Sequence, residues 1–118
     1  MDERKKQQLE AAGIDVADAL ARFMDNEALM LKFLLRFPQD QNFSLLKQAM
    51  DSGDVTQAFE AAHTLKGVTG NLAMTQLFQQ VSLLVEDLRN QNLSAAQVRM
   101  PELEAQYSRI LAALNVLA

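Results

Sequence analysis

The sequence predicts an all-α fold, an antiparallel four-helix bundle preceded by one or two short N-terminal helices. Three observations carry that expectation. Apolar residues recur every three or four positions along several successive runs, the spacing that places them on one stripe of a helix. No stretch alternates with period two for long enough to build a sheet, and no internal repeat or low-complexity tract is visible. Four glycines, two prolines and 6% aromatic residues are thin material for the many turns of an all-β chain. At 118 residues the chain suffices for one core and is too short for two.

The elements follow in order. The first dozen residues are charged and Gln-rich around Leu9 and Ala12, and Gly13 closes them as a left-handed cap. Residues 1–13 therefore read as a short, weakly anchored helix or a frayed arm, and residues 14–118 as the bundle domain. Asp15 is placed to cap a helix bearing Val16, Leu20 and Phe23. Asn26 caps the next, which carries Leu29, Met30, Phe33, Leu34 and Phe37 and is ended by Pro38. Phe43, Leu45, Leu46 and Met50 mark a third run, stopped at Asp51-Ser52-Gly53. Asp54 then caps a helix whose stripe is Val55, Ala58, Phe59, Ala62, Leu65, Thr69 and Leu72. The pattern resumes in Leu77, Phe78, Val81, Leu84, Val85 and Leu88 after a break around Asn71 to Thr75, short enough to make the two helices antiparallel neighbours. Asn90 to Asn92 closes that helix and Ser94 caps the last one, whose stripe is Leu103, Tyr107, Ile110, Leu111, Leu114 and Leu117. Pro101 fits the first turn of that helix or a kink in a longer one.

Composition removes several function classes. Eleven basic residues against 15 acidic ones leave a net charge of −4, with a pI near 4.9. A nucleic-acid binder needs a basic face to displace counterions, so DNA and RNA are excluded as partners. The absence of cysteine removes disulfides, thiolate nucleophiles and thiolate metal sites, and the charged start Met1-Asp2-Glu3-Arg4 has no apolar signal-peptide core behind it. The cytoplasm is the expected location. The longest apolar stretch, Ala28 to Phe37, is interrupted by Lys32 and Arg36 and falls short of the ~20 residues that span a bilayer. Met1, together with an end soon after the last apolar stripe, favours a free-standing protein.

One constellation carries chemistry. The only histidine, His63, lies in Ala62-His63-Thr64-Leu65-Lys66-Gly67-Val68-Thr69-Gly70, and positions 63, 66, 67 and 70 share a helix face beside the apolar stripe. Each glycine inside a helix costs roughly 1 kcal/mol against alanine, so Gly67 and Gly70 call for a reason. They strip side chains from the face that presents His63 and Lys66, leaving a clearing where another protein's backbone can approach the imidazole. Gly70-Asn71 can also simply end the helix, which leaves Gly67 unexplained. Metal or haem ligation by His63 wants a second ligand one turn away, where Lys66, Gly67 and Phe59 stand, with Glu60 the sole weak candidate; no metal site is expected. Histidine with lysine one turn on suits an anion. Neutral imidazole is a nucleophile near pH 7, and an ammonium at ~4 Å contributes about 1 kcal/mol in water and about 4 at an effective dielectric of 20.

His63-Thr64-Leu65-Lys66-Gly67 resembles the His-x-x-Lys-Gly motif of histidine-containing phosphotransfer (HPt) domains. The resemblance covers most of the chain: Gly13-Ile14-Asp15, Leu20, Phe23 and Ser52-Gly53-Asp54 are similar to the family's lead-in, while Leu72, Leu77 and the stretch from Leu84 to Arg89 match the second helix of the hairpin. It implies a phosphocarrier of a multistep phosphorelay without kinase activity of its own. His63 would accept a phosphoryl group from the aspartyl phosphate of a response-regulator receiver domain and pass it to another receiver, with a hybrid histidine kinase a further partner. Lys66 would neutralise the phosphoryl oxygens, Gly67 and Gly70 would make room for the receiver, and Mg²⁺ would sit on the receiver, leaving this chain without a cofactor. The chain also lacks the Gly-rich nucleotide loop that a kinase requires.

Reflecting residue 63 about the hairpin centre near residue 73 reaches Ser82 to Val85, which makes Ser82 a candidate to hydrogen-bond near the site. Many family members have a glutamine or other polar group where this chain has Val85, and a glycine where it has Ala73. Met24, Met30, Met50 and Met74 read as core filler, and Glu86-Asp87, Glu102 and Glu104 as solvated charge. The expectation is a cytoplasmic monomer that binds receivers. The other reading is a docking module of the same fold that regulates a receiver or kinase without carrying phosphate.

Overall fold

Side-chain oxygens start most of the helices. A computed structural model describes residues 1–118. In it α1 (Glu3–Ala11), α2 (Val16–Arg22), α3 (Glu27–Arg36), α4 (Asn42–Ser52), α5 (Val55–Asn71), α6 (Thr75–Arg89) and α7 (Leu93–Leu117) follow one another without a strand. Asp15 accepts from the Asp18 amide at 3.0 Å, Asn26 from Leu29 at 3.0 Å and Asp54 from Gln57 at 3.0 Å, the three caps read from the sequence. Each such cap is worth ~1 kcal/mol. The cap of α7 is a correction: Asn92, not Ser94, accepts from the Ala95 amide at 3.1 Å, and Ser94 lies in the first turn. Asp2 caps α1 in the same way, accepting from the Arg4 amide.

Helix ends follow from backbone conformation. Gly13 and Gly53 stand at φ +92° and +72°, left-handed values that a side chain resists. Pro38 sits in a single 3₁₀ turn, Phe37–Gln39, directly after α3. Pro101 lies inside α7, so the longer helix is the one formed.

Helices α4 to α7 make the bundle, and the whole chain is 43 Å in its long dimension. Helix α5 lies between α4 and α6, α7 packs on α6, and α1 and α3 rest against α7. The seams close because α5 turns small residues inward, Ala58, Ala61 and Ala62 beside Leu65, against Leu46, Met50, Leu77, Val81, Leu84 and Val85. Three short helices precede the bundle, one of them formed by residues 3–11. That helix buries Leu9 completely. Its C-terminal turn is tied down from two sides: Gln106, 1% exposed on α7, donates to the Ala12 carbonyl at 2.7 Å, and Thr75 donates to the Gly13 carbonyl at 3.1 Å.

The α3 and α4 stripes are less buried than their spacing predicts. Met30, Leu34, Phe37, Leu46 and Met50 enter the core, while Phe33 remains 40% and Leu45 51% exposed. Tyr107 of α7 stacks on Phe43, and burial pushes its hydroxyl pKa up, with the charge of Asp40 adding to the effect. No helix is long and apolar enough to cross a membrane.

Candidate functional site

Helix α5 divides into two faces. The inward one is closed: Ala58, Ala61, Ala62, Leu65 and Thr69 are buried, and the Thr69 hydroxyl is satisfied by donating to the Leu65 carbonyl at 2.9 Å. The outward face carries His63 and Gly67, both exposed, with Lys66 half-buried at its edge toward α6.

His63 makes no side-chain hydrogen bond and no ion pair; its imidazole lies beside the Phe59 ring, with centroids 5.8 Å apart and planes at 27°. Phe59 is one helical turn earlier, the i, i+4 relation that brings side chains together. Across the groove from α6, the Arg89 guanidinium lies over the same Phe59 ring at 5.2 Å and pairs with Glu86 at 3.4 Å. The Phe59–Arg89 contact sets the antiparallel register, and one turn further along each helix it brings Val85 across from His63. Val85 is fully buried, and no α6 side chain hydrogen-bonds the imidazole.

The Lys66 ammonium takes part in no ion pair. It borders a groove of about 440 Å³ between α5 and α6, shared with Phe78, Ser82 and Glu86. Ser82 is thus close to Lys66, but its hydroxyl donates to the Phe78 carbonyl of its own helix at 2.7 Å and makes no bond to His63. Ser82 thus stands near the site, as expected, with its own proton spent within α6. A serine within a helix commonly bonds back to the carbonyl four residues earlier.

The two glycines, alike in sequence, differ in surroundings. A Cβ built on Gly67 would meet nothing within 4 Å, so the missing side chain leaves open space. A Cβ on Gly70 would come within 3.2 Å of the Phe78 ring. Gly70 therefore admits a packed aromatic ring, whereas the space over Gly67 stays open. Gly70 does not supply the bend at the helix end. Ala73 does, at φ +54°, and the Met74 amide donates to the Thr69 carbonyl at 2.9 Å, so the turn forms without the glycine. A left-handed alanine costs roughly 1–2 kcal/mol.

On the far side of the outward face a second groove, about 560 Å³, opens between α2, α3 and the C-terminal half of α5. Phe23 and Phe33, stacked at 5.4 Å, line it with Val68 and Leu72, and Arg22, Arg36 and Asp40 bring charge of both signs. His63 is thus an exposed imidazole with an unpaired ammonium one turn on, and an apolar groove opens further along the helix, from Val68 to Leu72. No group of three or more His, Cys, Asp or Glu side chains gathers anywhere in the molecule.

Phe59, Arg89 and Phe78 are the participants that sequence reasoning missed. The signal for Phe59 was its position four residues before His63; Arg89 and Phe78 stand on the facing helix, where spacing along the chain places them but does not show what they touch. A family model described as Hpt domain matches residues 34–113, more than half of the chain and all of α4, α5 and α6. No curated protein and no solved structure matches the chain.

Proposed function

The chain belongs to the Hpt domain family, whose members carry phosphoryl groups in two-component phosphorelays, and on that premise we propose that His63 is the residue phosphorylated here. The observation that carries this reading is the outward face of α5: an exposed imidazole with no hydrogen bond, an unpaired lysine one turn away and open space over Gly67. A nucleophile must be reachable and its lone pair free, and this imidazole meets both needs.

In the proposed step the Nε2 lone pair of neutral His63 attacks phosphorus of a receiver's aspartyl phosphate. The N–P bond forms as the P–O bond to the aspartate breaks, and that electron pair leaves on the carboxylate. Nδ1 keeps its proton. Lys66 balances charge on the phosphoryl oxygens, and Gly67 lets the receiver's backbone close on this face. Transfer onward is the same step reversed on a second receiver, with Mg²⁺ held by the receiver. The apolar groove further along α5, lined by Phe23, Phe33 and Leu72, supports docking of a partner of family-typical kind, a receiver domain or a kinase bearing one. In this reading residues 14–118 act as one carrier domain, a monomer working in the cytoplasm.

Incubating the protein with phosphorylated receiver domains and following labelled phosphate tests the reading. Acid-labile label on the wild type, none on His63→Gln and about tenfold slower labelling of Lys66→Ala is the expected result, equivalent to ~1.4 kcal/mol in the barrier. A receiver that binds wild type and His63→Gln equally but gives up no phosphate would replace the carrier with a docking module that regulates its partner by binding.

A further inference from the structure

An exposed imidazole attacks faster when something fixes its plane. The Cβ–Cγ torsion of histidine is broad, and in-line attack requires the in-plane lone pair to point at phosphorus, so a freely turning ring spends much of its time misaimed. Hydrogen bonding to the second ring nitrogen is the ordinary way to hold such a ring. That device is missing here: His63 has no hydrogen bond, Ser82 donates within its own helix and makes no bond to His63, and the α6 residue that the helix register sets across from His63 is the buried Val85.

What the imidazole does have is an aromatic neighbour. The Phe59 ring lies 5.8 Å away and within 27° of parallel. Phe59 is itself held, half-buried against the core and under the Arg89 guanidinium at 5.2 Å, which Glu86 pairs at 3.4 Å. Aromatic stacking of this kind contributes ~0.5–1.5 kcal/mol, and a cation over an aromatic face ~0.5–1 kcal/mol at an exposed site.

We propose that Phe59, clamped by Arg89, is the positioning residue for His63, holding the imidazole plane by stacking in place of a hydrogen bond. The clamp joins the C-terminal end of α6 to the N-terminal part of α5, so the orientation of the ring depends on the packing of that hairpin. Phe59 touches neither phosphorus nor the leaving oxygen; it acts through His63. The kinetic part of the inference rests on the phosphotransfer reading, whereas the orientation part does not.

Because His63 is the only histidine, its ring protons are identified in an NMR spectrum without assignment. In wild type, the ring current of Phe59 should displace them from free-imidazole positions. Phe59→Leu, which keeps an apolar side chain, should return them to those positions and slow transfer at saturating receiver about tenfold with receiver affinity unchanged. Phe59→Tyr should restore both, and Arg89→Met should lose part of the displacement and about threefold in rate. A thermal melt of each variant confirms the fold. Wild-type imidazole shifts in Phe59→Leu, or wild-type transfer in the same variant, would overturn the proposal. If no receiver phosphorylates the wild-type protein but Phe59→Leu still loses the ring-current displacement, phosphotransfer fails while the stacking assignment stands.

Discussion

The inward and outward faces of α5 belong to one helix and do opposite work. Inward, small and apolar side chains are packed until no polar atom is left without a partner: Ala58, Ala62 and Leu65 are wholly buried, and Thr69 spends its hydroxyl proton on its own helix. Outward, the helix leaves groups unsatisfied, with an imidazole lacking hydrogen bonds, an ammonium lacking a carboxylate and a glycine facing empty space. The difference shows where stability and function separate. A packed face reports what the chain needs in order to fold, and an unfinished face reports what it awaits from a partner.

Substitutions can sharpen or break that contrast. Leu65→Ala on the inward face should destabilise the protein by about 3 kcal/mol in urea unfolding, since it leaves a cavity at the centre of the bundle. A loss below about 1 kcal/mol would mean that the inward face is not the core. Gly70→Leu should cost about 2 kcal/mol, because its first side-chain atom already meets the Phe78 ring at 3.2 Å. The same change three residues earlier has the opposite sign. Gly67→Leu should stabilise the fold by ~0.5–1 kcal/mol, the helix-propensity gain over glycine, while slowing phosphotransfer at least tenfold by standing where the receiver must close. Equal effects of the two glycine substitutions on unfolding would erase the distinction drawn between them.

How much of this was legible in the sequence depends on how far apart the interacting residues are. The caps Asp15, Asn26 and Asp54 were readable because a cap is a contact three residues long. The cap of α7 was not, because Asn92 and Ser94 are both suitable oxygens, and the choice falls to where α6 ends, fixed by the Asn92 amide donating to the Asp87 carbonyl. Gln106 occupies a core position that the hydrophobic pattern cannot explain, since its partner is the Ala12 carbonyl at the far end of the chain. The family resemblance rests on local motif residues and agrees with the family match over residues 34–113. The surroundings of the site were less visible. Gly67 and Gly70 look interchangeable until Phe78 of the next helix is seen to fill the space beside one of them, and Phe59 looks like another stripe residue until Arg89 and His63 meet on its ring.

The most direct test of the whole account is to find the atom that carries the phosphate. After incubation with a phosphorylated receiver, the nitrogen-15 and phosphorus-31 signals of the labelled protein should show one N–P bond, at Nε2 of His63, and the signal should be lost on mild acid treatment. Phosphate found on any other side chain, or persisting unchanged in His63→Gln, would contradict it.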